Sequence, residues 1–163
     1  LVEEDDLQTA FKNQLPVITS FLQSITEEKS NYAYAPGKWT IKELLQHMTD
    51  TERIFAFRSL CFARKEQASL PGFDEDIYAA NSNANSRSWL DLVNEFLLVR
   101  KTSEILFDSF TEEALNNSGT ANGNPATAAS MGFTAIGHVY HHKKILEERY
   151  FPALPGISFK GKI

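Results

Sequence analysis

The chain has 163 residues, of which 42% are hydrophobic and 12% aromatic, and it carries a net charge of −5 with a pI near 5.4. This length and composition suffice to bury the core of one domain, which excludes a disordered or low-complexity protein. Phosphate binding requires clustered positive charge, and the sequence has no basic stripe. We therefore expect no nucleic-acid partner.

Three features indicate where the protein works. The lone cysteine, Cys61, cannot form an intramolecular disulfide, which fits a reducing compartment. The first six residues, LVEEDD, are acidic where a signal peptide would be basic. No apolar run reaches the roughly 18 residues that a membrane-spanning helix requires. We expect a cytoplasmic protein without a membrane partner.

Apolar residues at spacings of three and four predict four amphipathic helices. Pro16 lies within the first and removes a backbone donor, so we expect a kink or a late start there. After a turn over residues 31–38, Thr40 and Glu43 match a capping box, and the second helix is predicted to run on to about Lys65. The apolar residues of the first helix are Leu7, Phe11, Leu15, Ile18, Leu22 and Ile25.

Residues 70–72 read Leu-Pro-Gly and interrupt the helical pattern. We predict a short helix over residues 73–78, a polar loop over residues 81–85 and a third long helix that begins near Ser88. The apolar seam predicted for this third helix consists of Trp89, Leu92, Phe96, Val99, Leu106 and Phe110.

The last helix follows residues 116–124, whose two glycines and four asparagines favour turns. It is predicted to start at Pro125 or Thr127 and to end before Pro152, followed by an irregular tail over residues 154–163 that can dock on the bundle. Four such helices without a strand pattern predict an all-α, up-and-down four-helix bundle. The prediction is one domain over residues 1–163 with a core over about 7–150; the long connection between the second and third helices leaves the helix order open.

All four histidines lie in two of the predicted helices, His47 in the second and His138, His141 and His142 in the fourth. Residues four apart share one face of a helix, with Cβ atoms about 5–6 Å apart, so His138 and His142 can converge on one ion. Both lie on the apolar seam, where a metal offsets the cost of desolvating two imidazoles. His141 shares a polar, solvated face. His47 faces inward from the second helix and is the predicted third ligand.

Three neutral imidazoles leave at least one coordination position open, as in catalytic rather than structural zinc sites. Imidazole also suits nickel, iron and copper, so the ligands do not name the metal. We expect a divalent ion, Zn²⁺ or Ni²⁺, at His47, His138 and His142.

Other candidate residues are interpreted structurally. Cys61 lies about 21 Å along the helix from His47 and is predicted to be a packed core cysteine. Asp50 is either a general base or partner of a ligand, or an ordinary surface carboxylate. The acidic residues 74–76 are interpreted as charge at a helix N-terminus. No catalytic residue is assigned. The aromatic side chains predicted to serve packing are Trp39 and Tyr78.

Two segments resemble the DinB/YfiT-like superfamily. Residues 37–52, GKWTIKELLQHMTDTE, are similar to its opening motif, and residues 137–142, GHVYHH, to its second; residues 71–76 and 119–125 are similar to further segments. The resemblance spans about residues 7–150. It implies a four-helix bundle with a metal site at His47, His138 and His142, and frequent homodimers. Activities in the superfamily divide between thiol-dependent transferases or isomerases and metal-dependent hydrolases.

Two kinds of function remain open. The first is a metal-dependent enzyme acting on a small molecule, either a hydrolase or a thiol (S-)transferase with a low-molecular-weight thiol as co-substrate. A thiol transferase is expected to have a partly basic pocket, with Arg53, Arg58 and Arg100 as candidate contributors. The alternative is a non-catalytic, stress-related bundle that binds a ligand or partner and holds a vestigial or structural metal, or no metal at all.

Overall fold

Four long helices make up the body of the computed structural model, which describes residues 6–154. Shorter helices and one β-hairpin lie in the connections between them. Of the predicted C-terminal tail, only Leu154 falls within the described residues. The elements are α1 (Leu7–Gln23), α2 (Glu27–Ser30), α3 (Ile41–Ala63), α4 (Glu75–Asn81), α5 (Trp89–Asp108), α6 (Glu112–Asn116), β1 (Ser118–Ala121), β2 (Asn124–Thr127) and α7 (Ala128–Ile145), which continues as a π-helical turn (Leu146–Tyr150) and a 3₁₀ turn (Phe151–Ala153); a further 3₁₀ turn spans Ala84–Ser86.

Polar side chains set the starts of the long helices. The predicted capping box of α3 is confirmed, since the Glu43 amide donates to Thr40 Oγ1 and the Glu43 carboxylate accepts from the Thr40 amide. Helix α7 begins after Thr127, because Pro125 belongs to β2. Helix α1 starts at Leu7 and includes Pro16, which excludes the late start.

The predicted all-α four-helix bundle is confirmed, with a particular arrangement of its helices. Helix α1 packs on α5 and α7, and α3 packs on the same two helices, so α1 and α3 lie across a diagonal. Helices α1 and α5 are antiparallel, because the Trp89 indole donates to the Leu22 carbonyl (3.1 Å) at one end and Phe107 stacks on Phe11 near the other.

Helices α3 and α5 run parallel, which replaces the alternation of a simple up-and-down bundle. Arg87 contacts Gln46 near the start of both helices (2.9 Å), and Arg100 contacts Glu52 further along both (2.8 Å). Ser59 near the end of α3 donates to the Ala128 carbonyl at the start of α7, so these two are antiparallel. The directions are therefore up, down, down, up. Parallel neighbours need a crossover connection. Residues 64–88, which include α4, supply it.

The expectation of a chain without strands is wrong for residues 118–127. Ser118 pairs with Thr127 and Ala121 with Asn124 in an antiparallel hairpin. Asn122 and Gly123 form its turn with φ of 50° and 74°. Asn-Gly is a hairpin signal because both turn residues need positive φ. The strands lacked a visible alternation because their side chains are small.

The predicted seam of α5 is less buried than expected at two positions, although Leu106 still packs against a buried apolar cluster. Val99 and Leu106 are only partly buried, whereas Arg100 and Phe107 are buried at about 1% exposure. The burial follows the helical period from Phe96 through Arg100. Apolar residues alone predicted the buried positions one residue too early, because Arg100 is a charged residue in the buried seam.

The core consists of two apolar clusters with a polar layer between them. One cluster surrounds Phe21, Leu45 and Phe96, and the other surrounds Phe11 and Phe62. No helix among residues 6–154 is long and apolar enough to cross a membrane. The buried side chains that we call the polar layer are Gln14, Thr51, Glu52, Arg100 and Ser103.

Candidate metal centre

The three predicted ligands come together where α3 passes α7. Nε2 of His138 lies 3.1 Å from Nε2 of His47 and 2.9 Å from Nε2 of His142. One ring nitrogen from each residue lies within 4.8 Å of the others. His47 and His142 are buried, and His138 is partly buried. Antiparallel packing thus brings a single histidine of one helix against an i, i+4 pair of the other.

Three Nε2 atoms at this spacing fit a metal ion better than they fit one another. Nε2 of a neutral imidazole carries either one hydrogen or one lone pair, so His138 can make only one good hydrogen bond with the two nitrogens that face it. A cation can accept all three lone pairs. In a tetrahedral zinc site with bonds of about 2.0–2.1 Å, ligand nitrogens lie about 3.3 Å apart, close to the separations seen here. The residues present therefore fit a divalent metal.

The surroundings keep these rings neutral near pH 7. Burial, reinforced by the neighbouring histidines, lowers the pKa of His138 to about 3 and that of His142 to about 2. Burial also lowers the pKa of His47, opposed by the negative charges of Glu75, Asp50 and Asp76. Neutral rings keep their lone pairs free, as metal ligation requires.

His141 does not join the cluster. Its side chain is exposed, and its ring contacts that of His142 from outside at 5.1 Å between centroids. The predicted solvated position of His141 is confirmed. Nδ1 of His142, by contrast, is buried and makes no hydrogen bond with residues 6–154.

Aromatic side chains hold the histidine rings in place. Trp39 packs against His47 at 4.9 Å between centroids, and Phe55 meets His138 edge-on at 5.9 Å. The Tyr150 hydroxyl donates to the Trp39 carbonyl (2.9 Å), which ties the end of α7 to the segment before α3. Trp39 does pack, as predicted, but its packing partner is a candidate ligand.

A cavity of about 370 Å³ opens beside His142, which we call the histidine cavity. Its volume lies within the usual range for small-molecule sites. Aromatic and aliphatic side chains form part of its wall, and charges of both signs lie around them. Its lining residues are Tyr34, Gly37, Lys38, Trp39, Leu44, Glu75, Asp76, His142, Ile145, Arg149 and Tyr150.

The three arginines predicted as pocket contributors do not line this cavity. Arg53 binds Asp50 and Glu95 on the surface, and Arg58 donates to a loop carbonyl (2.8 Å). Arg100 is buried in the polar layer. Charge alone did not indicate which cationic side chains face the site, because each of these arginines has at least one partner that only folding brings to it.

The cations of the histidine cavity are instead Lys38 and Arg149. Sequence reasoning missed both. A signal for each was present, since Lys38 precedes the motif residue Trp39 and Arg149 follows His142 by seven residues, two turns along the same face of a helix.

The acidic residues of α4 have two roles. Asp74 caps the helix by accepting from the Ile77 amide (2.9 Å), which confirms their interpretation as N-terminal charge. In addition, Glu75 and Asp76 line the histidine cavity, which the sequence did not indicate. Since the crossover connection determines where α4 lies, only the folded chain places these carboxylates.

The remaining candidates lie outside the cavity. Asp50 accepts from Gln46 (2.9 Å) and Arg53 (3.3 Å), contacts that favour its interpretation as a surface carboxylate. Cys61 is partly buried and packs on the second apolar cluster, as predicted. Tyr78 packs on Phe73 and is 45% exposed, so it covers little of the core.

The fold and the site define a class of protein, namely a four-helix bundle whose three-histidine cluster opens onto a small-molecule cavity. The model of one family, the DinB superfamily, matches residues 10–146. The chain therefore belongs to the DinB superfamily, as its motifs indicated. A relative from Oceanobacillus iheyensis, whose name assigns it provisionally to the metal-dependent hydrolases, is 26% identical over 129 residues, or 74% of this chain and 70% of the relative.

Solved structures share the fold at low sequence identity. YfiT from Bacillus subtilis, described as a probable metal-dependent hydrolase with an unusual four-helix bundle topology, aligns with a TM-score of 0.75 at 14% identity, covering 88% of this chain and 83% of YfiT. A mycothiol-dependent maleylpyruvate isomerase aligns with a TM-score of 0.72 at 14% identity, covering 91% and 63%. The DinB-like protein YjoA from Bacillus subtilis aligns with a TM-score of 0.62 at 18% identity, covering 94% and 95%.

Proposed function

We propose that the chain is a metal-dependent enzyme acting on a small molecule, with a divalent ion held by His47, His138 and His142. The observation that supports this most is the convergence of three neutral imidazoles beside a cavity of about 370 Å³. The names of the Oceanobacillus relative and of YfiT point the same way. Three protein ligands leave a position for a substrate atom.

Hydrolysis is the first candidate reaction. A divalent metal supplies Lewis acidity toward a carbonyl or phosphoryl oxygen and lowers the pKa of a bound water to about 7. The carboxylates of Glu75 and Asp76 stand in the cavity as candidate proton acceptors. Trp39 and Tyr150 form the aromatic part of the wall of the same cavity.

Thiol transfer is the second candidate, and the two cations of the cavity favour it. Lys38 and Arg149 can bind the carboxylates of a low-molecular-weight thiol, whose sulfur a metal would hold as the thiolate. One structural neighbour is described as mycothiol-dependent, which is compatible with this reaction. The predicted homodimer and cytoplasmic location remain predictions.

Metal content tests the site. Protein purified without an affinity tag or added metal should contain close to one equivalent of a divalent metal by elemental analysis. His138→Ala and His142→Ala should retain less than about a tenth of it, because two imidazoles hold the ion weakly. His141→Ala is the matched control and should retain the full amount. Equal metal in all four proteins, or none in the wild type, would contradict the proposed site.

Activity assays distinguish the reactions. The metal-loaded protein is assayed for hydrolysis of small esters and amides, and for conjugation of electrophiles with several cellular thiols. Reversing the charge of one cavity cation in Lys38→Glu should impair thiol conjugation and leave hydrolysis of neutral esters within about threefold. A fully metal-loaded protein that is inactive in both assays would support the non-catalytic alternative and contradict the proposal.

A further inference from the structure

The polar layer holds charges at the centre of the bundle. Glu52 and Arg100 are each at most 2% exposed, and Arg100 Nη1 donates to Glu52 Oε2 at 2.8 Å. Arg100 Nη2 also donates to Gln14, and its guanidinium lies over Phe11, 4.4 Å from the ring centroid. Helices α1, α3 and α5 thus join around one buried ion pair.

Stability alone is a poor explanation for this pair. A buried ion pair gains little over a well-packed apolar pair, because both charges must be desolvated. The layer is also incompletely paired, since four of its buried polar atoms make no hydrogen bond with residues 6–154. Such unpaired atoms cost stability unless water reaches them. They are Thr51 Oγ1, Glu52 Oε1, Arg100 Nε and Ser103 Oγ.

The polar layer adjoins the candidate metal centre. Glu52 follows His47 by five residues on α3, about 7.5 Å along the helix axis. On α7, the Ile136 carbonyl, two residues before His138, accepts from Gln14 of the layer at 2.9 Å. Arg100 in turn donates to Gln14, so two consecutive hydrogen bonds connect its guanidinium to the α7 backbone next to His138. The positive charge of Arg100 is therefore fixed beside the helix that carries two of the candidate ligands.

The position of the ion pair matters for the charge balance of a metal-loaded site. A divalent cation held by three neutral imidazoles brings two positive charges that no ligand neutralises. Arg100 adds a third positive charge nearby, in an interior where charges are screened less than at the surface. Glu52 is the carboxylate that contacts Arg100. Without it, a cation at the histidines would face an uncompensated guanidinium.

We propose that Glu52 is a positioning residue of the metal centre, which neutralises the neighbouring charge of Arg100 and thereby permits tight binding of a divalent cation. This inference rests on the proposed metal site. It assigns a role to a buried carboxylate that touches neither the histidines nor the cavity.

The test compares Zn²⁺ affinities, measured by competition with a chromogenic chelator, for the wild type and four variants. Glu52→Gln should bind Zn²⁺ at least tenfold more weakly, because Arg100 is then uncompensated. Glu52→Gln/Arg100→Met, which removes both charges, should return to within threefold of the wild type. Arg100→Met should bind at least as tightly as the wild type, because Glu52 then adds a negative charge. The control is Glu104→Gln, which removes a buried carboxylate about one turn beyond Arg100 on α5. Its affinity for Zn²⁺ should stay within threefold of the wild type.

Urea unfolding of the metal-free proteins distinguishes electrostatics from packing. If the pair only supports packing, Arg100→Met should be unstable and should also bind Zn²⁺ more weakly. The proposal requires an unstable Arg100→Met that binds tightly. A tenfold loss of affinity in Arg100→Met, or an unchanged affinity in Glu52→Gln, would overturn it. If Glu52→Gln does not fold, Arg100→Met and the double variant decide by the same criteria.

A failure of this inference differs from a failure of the metal site. If the wild type does not bind Zn²⁺, the proposed function itself is contradicted. If the wild type binds Zn²⁺, His138→Ala does not, and Glu52→Gln binds as the wild type does, the metal site stands and only the role of Glu52 is lost.

Discussion

The histidine cluster and the polar layer are two neighbouring groups of buried polar side chains, and they differ in charge and in access to solvent. The histidine cluster is neutral and opens onto a cavity, whereas the polar layer carries a formal ion pair and lies closed between apolar clusters. Burial keeps the histidines uncharged and therefore able to receive a cation. The Glu52–Arg100 pair is already neutral as a unit. Burial therefore leaves the histidine cluster able to bind a cation, whereas the polar layer keeps its two opposite charges paired.

The largest effect on stability should come from removing only one charge of the Glu52–Arg100 pair. Arg100→Met leaves Glu52 buried without its partner, and we expect a loss of about 3–5 kcal/mol in the free energy of unfolding. Glu52→Gln/Arg100→Met should lose far less, because no charge remains buried. Urea titrations of the metal-free proteins measure both. Similar losses in the two variants would show that packing rather than charge dominates the layer.

Metal binding should stabilise the folded protein through the histidine cluster and not through the polar layer. Zn²⁺ at a hundred times its Kd should raise the free energy of unfolding of the wild type by about 2.7 kcal/mol. His142→Ala should lose this increment, because the i, i+4 pair is broken. Thermal or urea unfolding with and without Zn²⁺ gives the difference. An increment that persists in His142→Ala would place the ion elsewhere.

Acid should destabilise the metal-free histidine cluster. The folded pKa of His138 is about 3 and that of His142 about 2, both below the ordinary value of 6.5. Between those values the unfolded chain binds more protons than the folded one, so stability falls as the pH falls below about 6.5. From pH 7 to 5 we expect a loss of about 2 kcal/mol for each of these two histidines.

Unfolding at the two pH values, compared with His138→Phe, tests this expectation. The variant cannot take up the proton at position 138, so its pH dependence should be shallower by about 2 kcal/mol. An equally steep dependence in His138→Phe would show that other groups cause the acid sensitivity.

The smallest effect should be that of His141→Ala. The side chain is exposed, so its removal should change the free energy of unfolding by less than about 0.5 kcal/mol and leave Zn²⁺ affinity unchanged. Because His141 is next to a candidate ligand in sequence, this variant shows whether position on the helix face or mere proximity matters. A tenfold loss of affinity would assign His141 a part in the site.

Features with a local cause were predictable from the sequence. Thr40 and Glu43 are three residues apart, so their capping box needs no information from elsewhere in the chain. The choice of His142 over His141 followed from helical period alone. The Asn122-Gly123 hairpin shows that one local signal was present and was not used.

Features that depend on distant segments were not predictable in this way. Arg100 was a candidate pocket cation, yet partners from α1 and α3 hold it in the core. Lys38, Glu75 and Arg149 reach the cavity from three separate segments. Choosing Arg53, Arg58 and Arg100 as pocket cations failed because each has a partner that only the folded chain brings to it.

The sequence by itself determined the four helices, the capping box of α3, and the pairing of His138 with His142, because each depends on residues within about one or two helical turns. Tertiary structure alone decided that α3 runs parallel to α5 and that His47 meets the histidine pair across antiparallel helices. It also decided that α4 places carboxylates beside the cavity and that Glu52 and Arg100 form a buried ion pair. These contacts join residues tens of positions apart, so they exist only once the apolar faces have packed and the crossover connection has set the helix order.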